Sequence, residues 1–222
     1  MKAFLQEVLK VNTMNKFLLV CMVAYAPFVL ADKLTQDSKW VQTCGACHGV
    51  DGNSPLPNAP NLAGQLQGYL VQQLLREKEF KIHGRASEKM GSEVDQLSES
   101  DIRNLARYYS EQELKPSTSD ESFDLALIAK GKDVYKRQIT KRIGLSCGNC
   151  HGDNAEGEEN RRAVGLVDFP RLAGQKHDYL VSRLKKYASR EVGYGLLGMN
   201  VVTESLTEDE INELAAYLSS LK

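Results

Sequence analysis

Two copies of one short pattern, Cys-x-x-Cys-His, constrain this chain more than any other feature. The first covers residues Cys44–His48 and the second Cys147–His151, 103 positions further along. The fifth and last cysteine, Cys21, lies in an apolar run near the N-terminus. Five cysteines placed in this way do not form a disulfide framework. They indicate two local sites that perform the same chemistry.

The two motifs belong to an internal duplication. Residues 60–74 and 170–184 are identical at nine of fifteen positions, and residues 97–110 correspond to residues 206–219. The second copy carries seven extra residues, at about 155–167. Matches that recur in the same order along a chain indicate duplication rather than chance.

The duplication predicts two tandem domains, a first at 32–115 and a second at 116–222. The segment Pro116–Asp120 is polar and begins with proline, which is typical of a linker. The chain has 222 residues, of which 42% are hydrophobic and 26% charged, so it has the composition of an ordinary globular protein. Its formal net charge of −1 provides no field that would attract nucleic acid.

Residues 1–31 are predicted to be a secretory signal peptide. An uninterrupted apolar run, Phe17–Leu30, follows Lys16 and ends in the small-residue pattern Val29–Ala31. Its 14 residues are fewer than the roughly 20 that a membrane-spanning helix needs. Met14 is a plausible alternative start, and retention of the segment as an anchor is the competing interpretation.

Both copies are predicted to be helical, with no alternating strand pattern. Ser98–Asp101 and Thr207–Glu210 each place a capping hydroxyl three residues before an acid, which marks a helix start. Middle helices are expected near Gln65–Lys81 and Gln175–Ser189, and an opening helix of the second copy near Phe123–Arg137. Apolar residues recur at helical spacing in both terminal helices: Ile102, Leu105, Ala106 and Tyr109, then Ile211, Leu214, Ala215 and Leu218.

Cys-x-x-Cys-His is the attachment signature of haem c. The two thiols add to the haem vinyl groups, and the adjacent histidine is placed to ligate the iron. Two alternatives explain the motif less well. A redox disulfide belongs beside a strand of a βαβ unit, and a shared zinc site would explain neither the separation of the pairs nor the histidines. The sequence therefore predicts two covalent haem c groups, attached at Cys44, Cys47, Cys147 and Cys150 and ligated by His48 and His151.

Two methionines are predicted to supply the sixth ligands. Of five methionines, three precede residue 32, and the remaining Met90 and Met199 occupy equivalent repeat positions. Met199 lies 48 residues after the histidine of its motif, and Met90 lies 42 residues after its own. The other histidines, His83 and His177, have no histidine at the equivalent repeat position and are interpreted as surface or propionate-side groups.

In these motifs and in their order along the mature chain, the sequence resembles the dihaem class I cytochromes c of the cytochrome c4 family. The resemblance implies an all-α fold of two tandem class I cytochrome c domains related by internal duplication. It further implies a pseudo-twofold arrangement with the haem propionate edges at the interface. By the same resemblance, Pro60 and Pro170 lend their carbonyl oxygens to the ligating imidazoles.

The resemblance also implies a function, namely electron transport in the periplasm between redox partner proteins. The donor would be a quinol-oxidising complex and the acceptor a terminal oxidase, with peripheral membrane association left open. Two other classes stay open. The chain could be the cytochrome c subunit of a periplasmic dehydrogenase, or a dihaem peroxidase, which would need one iron with a displaceable sixth ligand.

A cationic run precedes the second motif. It contains Lys136, Arg137, Lys141 and Arg142, with no acid from Val134 to Gly152. The ordinary interpretation of such a run is a solvated helix face. The alternative is that it flanks a haem edge and steers an acidic partner.

Overall fold

The structure is a computed structural model that describes residues 34–82, 88–116, 123–139, 144–161, 167–191 and 198–222. The predicted signal peptide lies outside these residues. The described elements are helices α1 (Lys39–His48), α2 (Gln67–Ile82), α3 (Glu88–Asp95), α4 (Glu99–Ser110), α5 (Leu125–Lys136) and α6 (Gly148–His151), strands β1 (Glu158–Arg161) and β2 (Val167–Phe169), and helices α7 (His177–Ala188), α8 (Met199–Thr203) and α9 (Glu208–Ser220).

The predicted helices are present within about two residues of their expected bounds. The middle helices are α2 and α7, and the opening helix of the second copy is α5. These elements form because each sequence segment presents one apolar stripe at helical spacing and so can bury one face. The described part of the chain contains no helix long and apolar enough to cross a membrane.

The terminal helices α4 and α9 begin with the capping boxes that the sequence predicts. The Ser98 hydroxyl accepts a hydrogen bond from the Asp101 amide, and the Asp101 carboxylate accepts one from the Ser98 amide. Thr207 and Glu210 make the same reciprocal pair at α9. Each box satisfies two amides that helix geometry leaves without intrahelical partners.

Each copy encloses its own hydrophobic core, and both cores belong to one compact unit, Leu34–Lys222. In the first copy the buried stripe of α4 packs with Val41 of α1 and Leu70 of α2. In the second, the stripe of α9 packs with Val134 of α5 and with Leu180 and Leu184 of α7. The eight stripe positions predicted from sequence spacing are all buried.

Helices α5 and α9 cross at Gly131. A Cβ atom at this position would overlap the main-chain carbonyl of Glu213, so the absence of a side chain permits the close approach of the two helices. Tyr135, one turn later, rests its ring on Tyr217 of α9 at 5.7 Å between centroids. The opening helix is thereby fixed against the terminal helix, as its apolar pattern indicates.

One small ribbon interrupts the helical architecture and was not predicted. Strands β1 and β2 pair antiparallel, with Glu158 opposite Phe169 and Arg161 opposite Val167 and an irregular register between them. The ribbon lies at the seven-residue insertion of the second copy. The segment is too short and too polar to show an alternating apolar pattern, so no local sequence pattern predicts the two strands.

Candidate functional site

Each Cys-x-x-Cys-His motif lies on a helical turn that ends directly after its histidine. Gly49 and Gly152 follow the histidines with φ values of 77° and 83°, in the left-handed region that favours glycine. Their amides donate to the carbonyl oxygens of Gly45 and Gly148 and so close the two turns. The helical turn brings cysteines i and i+3 to one face, beside the histidine.

The histidines are buried and held by proline carbonyls. His48 and His151 are 7% and 4% exposed. The Nδ1 atom of His48 lies 2.9 Å from the carbonyl oxygen of Pro60, and the Nδ1 atom of His151 lies 2.9 Å from that of Pro170. The proline contact that the family resemblance implied is therefore confirmed in both copies.

This contact fixes the tautomer of both imidazoles. A carbonyl oxygen can only accept, so each Nδ1 carries the proton and each Nε2 carries the lone pair. Burial lowers the pKa of His48 and of His151 below the ordinary histidine value, and the hydrogen bond to proline partly opposes this shift. Both rings are consequently neutral at pH 7 and present Nε2 as a ligand for a soft or borderline metal ion.

None of the four motif cysteines takes part in a disulfide bond. Burial raises the pKa of Cys44 to about 11, with a smaller contribution from the charge of Glu93, and burial likewise raises the pKa of Cys147 to about 11. Cys47 is exposed, and the other three motif cysteines are half-buried. At neutral pH a thiol with so high a pKa is protonated, and its reactivity as a nucleophile is low.

The structure brings one methionine to the core that each motif borders. Met90, on α3, packs against the first core together with Cys44. Met199, the first residue of α8, packs against the second core together with Cys147. Equivalent residues of the repeat thus occupy equivalent places in the two domains.

The remaining candidate residues lie elsewhere. His177 begins α7, where its ring lies 5.0 Å from that of Phe123 and its Nδ1 lies 3.1 Å from an Asp178 carboxylate oxygen. His83 lies outside the described residues. In the cationic run, Arg137 forms an ion pair with Glu210 at 2.6 Å, whereas Lys136 is exposed. Lys141 and Arg142 are outside the described residues.

The donor set fits haem c at both sites. Each site offers two thiols one turn apart and a neutral histidine of fixed tautomer, with one thioether packed on the same core. Among the described residues no cluster of three or more His, Cys, Asp or Glu side chains is arranged to hold a metal ion. The geometry therefore gives no support to a zinc site shared by the two cysteine pairs.

The family comparison matches both halves of the chain. The model of the cytochrome c family covers residues 38–111 and again 128–222. A cytochrome c4 of Stutzerimonas stutzeri is 33% identical over 190 residues, which are 82% of this chain and 85% of that protein. The chain belongs to the cytochrome c4 family. Its cofactors are accordingly two covalently attached haem c groups.

Solved structures and a second relative extend this finding. The crystal structure of reduced recombinant cytochrome c4 from Pseudomonas stutzeri superposes with a TM-score of 0.72 at 32% identity, over 82% of this chain and 95% of that one. A protein of Thiomonas intermedia described as a thiosulfate dehydrogenase electron acceptor is 30% identical, over 80% of this chain and 78% of its own. This member of the cytochrome c4 family therefore has the predicted all-α, two-domain fold.

Proposed function

We propose that this cytochrome is a periplasmic electron carrier. It stores two electrons, one in each domain, and passes them one at a time towards a terminal oxidase. The observation that carries the proposal is the matched pair of sites, each with one neutral, carbonyl-bonded histidine and one methionine on the same core. When bound, haem supplies reversible one-electron chemistry at iron. With a histidine and a methionine as its two protein ligands, each haem would exchange electrons and offer no open position to a substrate.

We assign each residue a role. The first haem is attached at Cys44 and Cys47 and the second at Cys147 and Cys150. His48 and Met90 would ligate the iron of the first haem, and His151 and Met199 would ligate that of the second. The domains that carry them are 32–115 and 116–222, after removal of residues 1–31 on export.

The ligand chemistry explains why such a carrier accepts electrons readily. A thioether is a soft ligand that favours ferrous iron, and an apolar pocket disfavours the additional charge of ferric iron. Val94 and Leu105 in the first domain, and Leu180 and Leu214 in the second, are at most 4% exposed and supply that apolar surrounding. Both effects raise the reduction potential relative to a solvent-exposed bis-histidine haem.

Carbon monoxide binding tests the axial assignment. The reduced, unmutated protein at neutral pH is expected to keep its spectrum under carbon monoxide, because both sixth positions hold sulfur. Met90→Ala and Met199→Ala should each bind carbon monoxide at one haem per chain. The potential of the opened haem should fall by more than about 59 mV, a tenfold change in a one-electron equilibrium.

The control separates loss of a ligand from loss of packing. Leu97 is 3% exposed and belongs to the same core as Met90. Leu97→Ala leaves a cavity in this core, with a cost of about 2–5 kcal/mol in unfolding free energy, but should open no iron. Rapid carbon monoxide binding by the unmutated protein, together with peroxide consumption, would instead indicate a dihaem peroxidase.

A second candidate function is supported by the relative described as a thiosulfate dehydrogenase electron acceptor. In this alternative the chain serves as the cytochrome c subunit or immediate acceptor of a periplasmic dehydrogenase. The haem chemistry would be the same, so only the identity of the partner protein distinguishes the two functions. Stable co-purification with a dehydrogenase, and reduction by its substrate without a further carrier, would favour this alternative over a freely diffusing carrier.

A further inference from the structure

Two glutamines occupy equivalent, buried positions where the two domains meet. Gln65 and Gln175 are each five residues after the proline that bonds the motif histidine. They are 6% and 7% exposed. A fully buried primary amide is costly unless its donors and acceptors find partners, so the contacts of these two side chains are informative.

Each glutamine bonds the main chain of the opposite domain at both ends of its amide. The Gln175 Oε1 atom accepts from the Asn61 amide at 2.7 Å, and its Nε2 donates to the Asn61 carbonyl at 3.0 Å. In the reverse direction, Gln65 Oε1 accepts from the Arg171 amide at 2.8 Å, and Nε2 donates to the Arg171 carbonyl at 2.9 Å. We call these two reciprocal contacts the glutamine clamps.

The clamps are direct and closely packed. The space that remains among the surrounding side chains and loops is about 10 Å³, at the lower limit of what one water molecule needs. The Asn61 side chain adds one further bond across the interface, from Nδ2 to the carbonyl oxygen of Gly174 at 3.0 Å. The glutamines therefore bond the opposite main chain without an intervening solvent layer.

The clamped amide and the carbonyl that holds the histidine belong to one peptide group. The amide of Asn61 and the carbonyl of Pro60 are the two ends of the Pro60–Asn61 peptide. That carbonyl accepts from His48 Nδ1 at 2.9 Å, while that amide donates to Gln175 at 2.7 Å. A continuous path of two hydrogen bonds and one peptide unit thus joins His48 to the second domain.

The second copy repeats the path in the opposite direction. The Pro170–Arg171 peptide accepts from His151 Nδ1 at 2.9 Å through its carbonyl and donates to Gln65 at 2.8 Å through its amide. Each domain therefore provides a glutamine that bonds the peptide whose carbonyl holds the histidine of the other domain. This is the self-complementary geometry of a twofold interface, built here from two copies within one chain.

We propose that Gln65 and Gln175 are positioning residues that tune the axial histidine of the opposite domain. An amide that donates to a strong acceptor polarises its peptide and makes the carbonyl oxygen a better acceptor. A better acceptor draws the Nδ1 proton more strongly, which raises the basicity of the ligating imidazole and favours ferric iron. This inference rests on the proposed axial role of His48 and His151.

The proposal predicts a crossed effect on the reduction potentials. Gln175→Met keeps the side-chain length but removes both clamp bonds. It should raise the equilibrium constant for reduction of the haem of the first domain by about two- to tenfold. Tenfold corresponds to a rise of about 59 mV for a one-electron couple. Gln65→Met should shift the haem of the second domain by a similar factor. In each variant the equilibrium constant for reduction of the mutated domain's own haem should change by less than about twofold.

The measurement is a redox titration of the full dihaem protein followed by nuclear magnetic resonance. The haem methyl signals of each domain are assigned through contacts with side chains of that domain. Gln72→Met is the matched control, because Gln72 also reaches the other domain, at 3.4 Å from an Asp168 carboxylate oxygen, but contacts neither proline peptide. In this control the equilibrium constants for reduction of both haems should stay within about twofold of those of the unmutated protein.

Shifts of equal size at both haems, or a shift at the haem of the mutated domain, would overturn the proposal. Hydrogen exchange of the unmutated ferrous protein provides a test that needs no variant. The amides of Asn61 and Arg171 should be protected and should open together with the side-chain amide of the opposing glutamine. Fast exchange of these two amides beside a protected core would also overturn it.

The outcomes distinguish this proposal from the axial assignment. If the clamps do not tune the histidines, the carbon monoxide result stands and only the crossed shift is missing. If the axial assignment is wrong, the unmutated protein binds carbon monoxide before any glutamine is changed.

Discussion

At the scale of single residues, main-chain carbonyls act as the acceptors for buried polar side chains around both sites. The prolines serve the histidines in this way, and Tyr108 donates its hydroxyl to the carbonyl oxygen of Val50 at 2.8 Å. Val50 lies two residues after His48, so this bond holds the loop that leaves the first motif. Burial raises the pKa of Tyr108, with a smaller contribution from Asp51, and its hydroxyl therefore stays protonated as a donor.

Removal of this hydroxyl should destabilise the first domain. Tyr108→Phe leaves the ring in place but deprives a part-buried carbonyl of its donor, with an expected loss of about 1 kcal/mol in unfolding free energy. Denaturant unfolding measures it. Tyr109 is the matched control, because it is adjacent on α4 and its hydroxyl lies a long 3.4 Å from the Val41 carbonyl. A larger loss for Tyr109→Phe than for Tyr108→Phe would contradict the argument.

At the scale of secondary structure elements, the capping box of α9 also connects to the opening helix of its domain. Glu210 accepts from the Thr207 amide at 2.9 Å and forms an ion pair with Arg137 at 2.6 Å. The hydrogen bond to Thr207 is the largest influence and the pairing with Arg137 a further one, and together they hold the pKa of Glu210 below its ordinary value of 4.5. One carboxylate therefore starts α9 and fastens the end of α5 to it.

The contribution of Glu210 to stability should depend on pH. A carboxyl group whose pKa is lower in the folded state stabilises the fold above its unfolded pKa, and this contribution is lost as the pH falls through the folded pKa. Glu210→Gln should therefore lower the unfolding free energy by about 0.5–1 kcal/mol at pH 7, through loss of the capping bond and of the ion pair. The difference from the unmutated protein should disappear on acidification below the folded pKa.

Unfolding free energies measured from pH 7 to pH 3 test this expectation. Asp209→Asn is the control, because Asp209 is the adjacent acid in the first turn of α9, is exposed, and takes no part in the capping box. This substitution should produce no comparable pH-dependent difference. A Glu210→Gln effect that persists unchanged at pH 3 would show that its cause is packing rather than charge.

The β1–β2 ribbon shows how an insertion is used at the same scale. Asp168 of β2 is 6% exposed and lies against α2 of the other domain, where a Cβ atom at Gly68 would overlap its carboxylate. Gln72, one turn later, donates to that carboxylate at 3.4 Å. The residue that follows the insertion of the second copy therefore adds a contact between the domains.

At the scale of the whole molecule, the domains are joined by polar contacts and stabilised by separate cores. The clamps are hydrogen bonds between amides and main chain, and the buried apolar residues of each copy form a cluster of their own. Water can replace an amide as the partner of a main-chain group, but it cannot replace an apolar core. This distinction indicates that each copy can fold without the other.

The fragment 121–222 is accordingly expected to mature alone as a monohaem cytochrome. Expression under conditions that support covalent haem attachment, followed by haem quantification after acid-acetone extraction, measures the result. The same fragment with Cys147 and Cys150 replaced by alanine is the control and should retain no haem. Failure of the fragment where the full chain succeeds would show that the second domain depends on the first.

The sequence alone determined the features that depend on short stretches of chain. Covalent attachment requires two cysteines and a histidine at fixed spacing, and a helix start requires a hydroxyl and an acid three residues apart, so both are visible as patterns. The duplication made each assignment twice, which is why Met90 and Met199 stood out among five methionines. The buried stripes of the terminal helices followed from their spacing for the same reason.

Only the tertiary structure decided which groups meet across the two copies. Gln65 and Gln175 appear in the sequence as two matched residues of a repeat, and no local pattern indicates that each bonds the peptide beside the other domain's proline. Such contacts join positions 106 and 114 residues apart. The ribbon and its Asp168 were hidden in the same way. Their energies arise from the meeting of two separately folded surfaces, and propensity, capping and spacing act only within a few turns of one chain segment.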